Sequence, residues 1–148
     1  MDKPQISYFV LTSDNLYARL QTVYAGSYTG DGPLSVNLRI WNNYQGTEDV
    51  EDLKNFNLVI RFLTEEDNAL LPYVTVAVTD SMELPSIVEK NAAVFHFVDP
   101  ISLSGEANTG SDEYYNNYVD ITVTFDTGDD VYLKDHDLKS MVLEIAEI

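Results

Sequence analysis

The stretch PLSVNLRIW, residues 33–41, alternates apolar and polar side chains along its length. In an extended chain, successive side chains point to opposite sides, so one side receives Leu34, Val36, Leu38 and Ile40, and the other receives Ser35, Asn37, Arg39 and Trp41. A period of two is typical of a half-buried strand. The stretch therefore predicts a β-strand with one apolar face.

The same pattern recurs along the chain. Residues 118–126, YVDITVTFD, alternate as regularly as residues 33–41. Enrichment in β-branched and aromatic residues predicts further strands at 5–11, 56–63, 73–79, 94–98 and 141–145. Residues 56–63 also carry Val59 and Leu63 on the second face, which predicts a strand covered on both sides.

Two segments fit more than one structure. Residues 15–24 fit a strand, which we favour because Tyr, Thr and Val are frequent, but Ser13 as a cap and Gly26 as a stop also fit a helix. Residues 49–54 fit one short helical turn.

Turn-forming clusters separate the predicted strands at intervals that suit antiparallel sheets. Seven or eight short strands predict an all-β fold, a two-sheet antiparallel β-sandwich of jelly-roll or immunoglobulin-like type. The 148 residues contain no repeat, linker or low-complexity tract, so residues 1–148 are expected to form a single domain.

Charge is the strongest compositional feature, with 25 acidic against 8 basic residues and a net charge of −17. Such a surface repels phosphate backbones and anionic lipid, which argues against nucleic-acid and membrane partners. The N-terminus MDKPQISYFVL lacks the apolar segment of a secretory signal. We expect synthesis in the cytoplasm, or an extracellular location if a leader has been removed.

Few residues point to catalysis. The chain has no cysteine and two histidines, of which His96 is expected to be hydrogen-bonded in or near the core, while His136 lies between two aspartates. No serine-hydrolase turn is present, and we expect no enzyme. No cofactor is certain, although the turn FDTGDD offers Asp126, Asp129 and Asp130 as possible calcium ligands.

Aromatic residues supply the binding candidates. Trp41, the sole tryptophan, packs beneath the following loop, stacks with Arg39 or stays exposed as a ligand platform. Tyr44 follows it in NNYQG, and the segment SDEYYNNY places Tyr114, Tyr115 and Tyr118 among acids and asparagines. Tyrosine and asparagine are common where proteins contact partners or sugars. Arg19, Arg39 and Arg61 are expected to be structural ion partners.

The segment LSVNLRIWNNYQGTEDVEDLKNFNLVIRF, residues 34–62, resembles cellulose-type carbohydrate-binding modules, especially family 3. The shared features are a strand ending in Asn, an acid followed by Leu (Asp52 and Leu53), and a strand ending in Arg and an aromatic residue (Arg61 and Phe62). This resemblance implies a carbohydrate-binding module, and calcium is the one cofactor that we consider for it.

The whole chain, acidic, tyrosine-rich and without cysteine, resembles small virion proteins from the tails, baseplates or head fibres of tailed bacteriophages, with loops such as LSGEANTG and NNYQGTED. This resemblance implies a non-enzymatic structural or attachment protein in the virion. Its expected partners are copies of itself, other virion proteins or a host-surface polysaccharide. We expect this function, with the carbohydrate-binding module as the alternative.

Overall fold

A computed structural model of the chain describes residues 1–10, 22–23, 27–29, 32–54, 56–63, 65–78, 86–89, 92–96, 102–128, 136–138 and 141–147. Strands dominate these ranges. In chain order they are β1 (Ile6–Val10), β2 (Thr22–Val23), β3 (Ser27–Tyr28), β4 (Leu34–Asn42), β5 (Leu53–Lys54), β6 (Phe56–Phe62), β7 (Val74–Val78), β8 (Ser86–Glu89), β9 (Ala92–His96), β10 (Ser102–Leu103), β11 (Tyr118–Phe125), β12 (His136–Asp137) and β13 (Met141–Glu147).

Two antiparallel sheets pack together as a sandwich. In the described ranges, one has four strands in the order β1-β4-β11-β7, and the other has five in the order β2-β13-β6-β9-β8. Strand pairs β5/β10 and β3/β12 form two small additional sheets. The predicted all-β sandwich is therefore confirmed.

The inward-facing rows of the two sheets form the core. From the four-stranded sheet come residues such as Leu38, Ile40 and Val123, which are fully buried. The five-stranded sheet contributes Leu58 and Ile60 from β6, also fully buried. Fully burying one such side chain stabilises the fold by about 1.5–3 kcal/mol.

The two most regular alternating stretches form the pair of strands at the centre of the four-stranded sheet. β4 and β11 pair along their length, from Tyr118 opposite Trp41 to Phe125 opposite Leu34. The predicted strands at 5–11, 56–63, 73–79, 94–98 and 141–145 correspond to β1, β6, β7, β9 and β13, whose bounds differ from the predicted ones by at most two residues. Residues 22–23 form β2, and residues 15–21 and 24 lie outside the described residues.

Three expectations are corrected. Residues 49–54 form no helical turn, because Val50 bridges to Asp2 and Leu53–Lys54 is a strand. β6 is not covered on both sides by described residues, since its second face is half-buried and Leu63 is 64% exposed. His96 is exposed on that outer face rather than in the core, although its Nδ1 does form a 2.8 Å hydrogen bond with Asn57 Oδ1.

The sequence reading missed a 3-10 helix at Asp67–Tyr73. Leu70 and Leu71 point into the core, and the carboxamide oxygen of Asn68 accepts a hydrogen bond from the Phe62 amide at 2.9 Å. This bond ties the helix to the end of β6. The described part of the chain contains no helix with the length and apolar character that crossing a bilayer requires.

Candidate functional site

The candidate site is one end of the sandwich, where the loops of residues 43–52 and 104–117 meet. We call these two segments the loop end. They adjoin the last residue of β4, Asn42, and the first residue of β11, Tyr118. Three of the five aromatic binding candidates, Tyr44, Tyr114 and Tyr115, lie in the loop end, and the other two, Trp41 and Tyr118, lie in the adjoining ends of β4 and β11.

Asn42 is the central hydrogen-bonding residue of the loop end. It is fully buried, and its carboxamide oxygen accepts a hydrogen bond from the Gln5 amide at 2.9 Å. Its Nδ2 donates to the carbonyls of Glu51 and Leu103 at 3.0 and 3.1 Å. One side chain thereby joins three separate segments, which satisfies backbone groups that burial otherwise leaves unpaired.

Asn43 holds the turn that follows. Its φ of 60° lies in the left-handed region, which asparagine tolerates better than most residues. Its Nδ2 donates to the carbonyls of Glu48 and Gly105 at 2.8 and 2.9 Å. Gly46 completes the turn, because a β-carbon there would lie 1.9 Å from Asn43 Oδ1.

Two more asparagines fix the second loop. Asn117 is buried, and its Nδ2 donates to the carbonyls of Ser104 and Glu106 at 2.8 and 2.9 Å. The Nδ2 of Asn108 donates to the carbonyl of Asn43 at 2.7 Å, and its Oδ1 accepts a hydrogen bond from the Gln45 amide at 3.0 Å. The two loops are therefore connected directly to each other.

Two aspartates add charge-assisted hydrogen bonds between the loops. Asp49 accepts from the Ala107 amide, and Asp52 accepts from the Gly105 amide, each at 2.9 Å. Gly105 also approaches the other loop so closely that a β-carbon would lie 2.0 Å from the Val50 carbonyl oxygen. Only glycine fits this contact without a backbone shift.

An aromatic cluster lies on the outer face of the four-stranded sheet, beneath the loop end. Trp41 contacts Tyr44 and Tyr118, with ring centroids 5.1 and 4.8 Å away, and Phe9 contacts Tyr44 at 4.6 Å. Trp41 is 2% exposed. It packs beneath the following loop, so the alternative of an exposed platform is wrong.

Arg39 links this cluster to the second loop. Its guanidinium carbon lies 3.9 Å from the centroid of the Tyr118 ring. Nε and Nη2 bind both carboxylate oxygens of Asp120 at 2.6 and 3.0 Å, and Nη1 binds Asp112 at 2.6 Å. Burial alone lowers the pKa of Arg39, but the hydrogen bonds to Asp120 and Asp112 outweigh it and raise that pKa above its usual value.

The structural role predicted for Arg39 and Arg61 is confirmed, since Arg61 Nη2 pairs with Glu144 at 2.9 Å on the outer face of the other sheet. Arg19 lies outside the described residues.

The predicted tyrosines divide into two groups. Tyr44 and Tyr118 are half-buried members of the aromatic cluster, and the Tyr118 hydroxyl donates to the Asp112 carbonyl at 2.7 Å. Tyr114 is half-buried in the turn, whereas Tyr115 is 70% exposed. Of the aromatic candidates, Tyr115 is the one that offers most of its side chain to a partner.

The surface around the loop end is acidic. An open groove of about 690 Å³ is lined in part by Asp49, Glu51, Asp52 and Glu106, together with Lys54. Asp112 and Glu113 are exposed in the adjoining turn. A partner at this end therefore meets negative charge.

The predicted calcium ligands are described only in part. Asp126 is exposed, and its Oδ1 accepts a hydrogen bond from the Gly128 amide at 2.9 Å, as in a tight turn. Asp129 and Asp130 lie outside the described residues, so this site stays a prediction. Among the side chains that are described, no group of three or more acids or histidines is placed to hold a metal ion.

Sequence reasoning did not identify the asparagine network. The available signal was the doubled asparagine, at 42–43 where β4 ends and at 116–117 where β11 begins. Comparison of the sequence with protein-family models and with curated proteins finds no match.

Proposed function

We propose that this protein is a non-enzymatic structural or attachment protein, a component of a phage virion that mediates assembly or host-surface contact through its loop end. The loop end displays side chains to a partner and carries out no chemistry on it. The resemblance of the chain to small all-β virion proteins supports this role.

The main support for the proposal is that the asparagine side chains form hydrogen bonds to the backbone of the loops themselves. The buried carboxamides of Asn42, Asn43 and Asn117 bind backbone groups of the loops themselves. They stabilise the loops and are not free to bind a ligand. Loops that are fixed before binding lose little conformational entropy when a partner docks, which favours a contact surface.

The displayed groups suit protein contact. Tyr115 projects from a turn that also exposes Asp112 and Glu113. Tyrosine supplies a large and rigid contact area, and interfaces are enriched in it. The carboxylates favour a partner with cationic or hydrogen-bond-donating groups.

The carbohydrate-binding alternative depends mainly on Trp41 as a ring on which a sugar stacks. A sugar platform needs an exposed aromatic face, but Trp41 is buried among Tyr44 and Tyr118. Tyr115 remains as a single exposed ring at this end. Polysaccharide binding is therefore an outcome to be tested against the virion role.

The test is to purify phage particles from the source of the sequence and to identify their proteins by mass spectrometry. We expect peptides of this chain in stoichiometric amounts. Particles carrying Tyr115→Ser should assemble or adsorb less efficiently than particles carrying the matched control Leu63→Ser, which truncates a similarly exposed apolar side chain outside the loop end. Particles without the chain, or a glycan panel in which the free protein binds one polysaccharide and Tyr115→Ser does not, would contradict the virion role.

A further inference from the structure

β7 lies at one edge of the four-stranded sheet formed by the described strands. It pairs with β11 from Val78 opposite Ile121 to Val74 opposite Phe125. Within the described ranges, no strand pairs with its other side. An edge strand presents unpaired backbone N–H and C=O groups, and these are a template for a further strand.

Nothing in the sequence of β7 protects this edge. The strand reads VTVAV and contains no charged residue and no proline. Thr75 is exposed, and Ala77 and Val78 are half-buried. Natural edge strands usually carry lysine, proline or a bulge that prevents association. By contrast, β1, the opposite edge of the same sheet, has Tyr8 and Phe9 buried.

The face beside β7 is also uncharged. Ser35 Oγ and Thr124 Oγ1 share a hydrogen bond of 2.9 Å, and Thr122 Oγ1 donates to Asn37 Oδ1 at 2.8 Å. With Thr75, these side chains form a row of hydroxyl and amide groups across β4, β11 and β7. Such a surface accepts a neighbouring molecule without bringing charges together.

We propose that β7 pairs with the β7 strand of a second copy, antiparallel across a twofold axis. The two four-stranded sheets then form one continuous sheet of eight strands. The net charge of the chain favours a second copy over a basic protein as the partner of β7. Copies with a net charge of −17 repel each other, so they associate where the surface is uncharged, whereas a basic partner gains nothing at an uncharged edge.

An antiparallel strand pair is self-complementary, as a twofold interface requires. The inference rests on the proposed structural role for its biological meaning, but the edge and the loop end are separate surfaces.

The test measures solution mass by analytical ultracentrifugation over a wide range of protein concentration. We expect a dimer, with twice the 16.7 kDa mass of the chain. Thr75→Lys should weaken dimerisation about tenfold, because it places lysines near each other across the twofold axis. Val88→Lys is the matched control, since Val88 is exposed on β8, an edge of the other sheet, and this variant should dimerise normally.

Amide hydrogen exchange provides a second measurement that does not depend on a variant. Outward-facing β7 amides should become protected as concentration rises. A monomer at every concentration, equal dissociation constants for Thr75→Lys and Val88→Lys, or β7 amides that are already protected in the monomer would overturn the inference. If Thr75→Lys particles assemble normally while Tyr115→Ser particles do not, the edge pairing fails and the proposed function stands.

Discussion

Trp41 and Tyr118 lie directly opposite each other on β4 and β11, and their ring centroids are 4.8 Å apart on the outer face of the sheet. Two residues that the sequence offered as ligand contacts thus contact each other. Cross-strand aromatic pairs stabilise a sheet by about 0.2–1 kcal/mol. The pair forms a small second core, covered by Tyr44 and bordered by Arg39.

Trp41 fluorescence should report a buried indole. Because Trp41 is the sole tryptophan and is 2% exposed, we expect blue-shifted emission and weak quenching by acrylamide. A polysaccharide panel should leave the spectrum unchanged. Emission near that of free tryptophan, or a shift on adding a glycan, would contradict the packing beneath the loop.

Asn42→Asp should destabilise the protein strongly. The change is nearly isosteric, but it replaces two donated hydrogen bonds with a buried carboxylate facing the Glu51 and Leu103 carbonyls. We expect the free energy of unfolding in urea to fall by about 3–5 kcal/mol. The matched control is Asn116→Asp, since Asn116 is exposed and its change should stay within about 0.5 kcal/mol. Equal effects at the two positions would refute the role of the network.

Arg39→Met should lower the free energy of unfolding by about 2 kcal/mol, because it leaves Asp120 without the cation that binds both of its oxygens. Arg61→Met provides the comparison. The Arg61–Glu144 pair is solvent-exposed on both sides, and exposed pairs contribute about 0–1 kcal/mol. Chemical denaturation of both variants tests the difference, and a larger loss for Arg61→Met would contradict it.

The variant Tyr8→Phe should lose less stability at alkaline pH than the wild type does. Burial, and then the charge of Glu144, raise the pKa of the Tyr8 hydroxyl above its ordinary value of about 10. The folded state therefore holds this proton after the unfolded state has released it. The free energy of unfolding is therefore unaffected by the ionisation of Tyr8 below its ordinary pKa. It decreases as the pH rises from that value towards the higher pKa that Tyr8 has in the folded protein.

In Tyr8→Phe the fall above about pH 10 should be shallower, as followed by melting temperature against pH. At neutral pH the variant should be no less stable. The Tyr8 hydroxyl has no hydrogen-bond partner among the described residues, whereas that of Tyr28 bonds to Thr127 at 2.7 Å. Parallel pH curves for the wild type and Tyr8→Phe would show that Tyr8 is not responsible.

The sequence determined the sheet-forming elements because side-chain alternation is a local property of the chain. Residues 33–41 and 118–126 show a period of two, and they form paired strands with the expected row inward. Short elements escaped this reasoning. The strand β5 pairs with β10, which is distant in sequence, and the 3-10 helix at Asp67–Tyr73 buries Leu70 and Leu71 in the core, so neither element depends mainly on a local pattern.

What the sequence determined by itself is therefore the class of the protein: alternating strands, an acidic surface and a supply of tyrosine and asparagine beside the strand ends. The tertiary structure alone decided what those residues do. The alternation along β4 places Trp41 on the outer face of the sheet, beside Arg39. Trp41 is nevertheless buried, because the rings of Tyr44 and Tyr118 cover it. The asparagine side chains can join the two loops by hydrogen bonds because these loops, more than fifty residues apart in sequence, meet at one end of the sheet. Burial and hydrogen bonding depend on which segments meet in space, and local sequence does not contain that information.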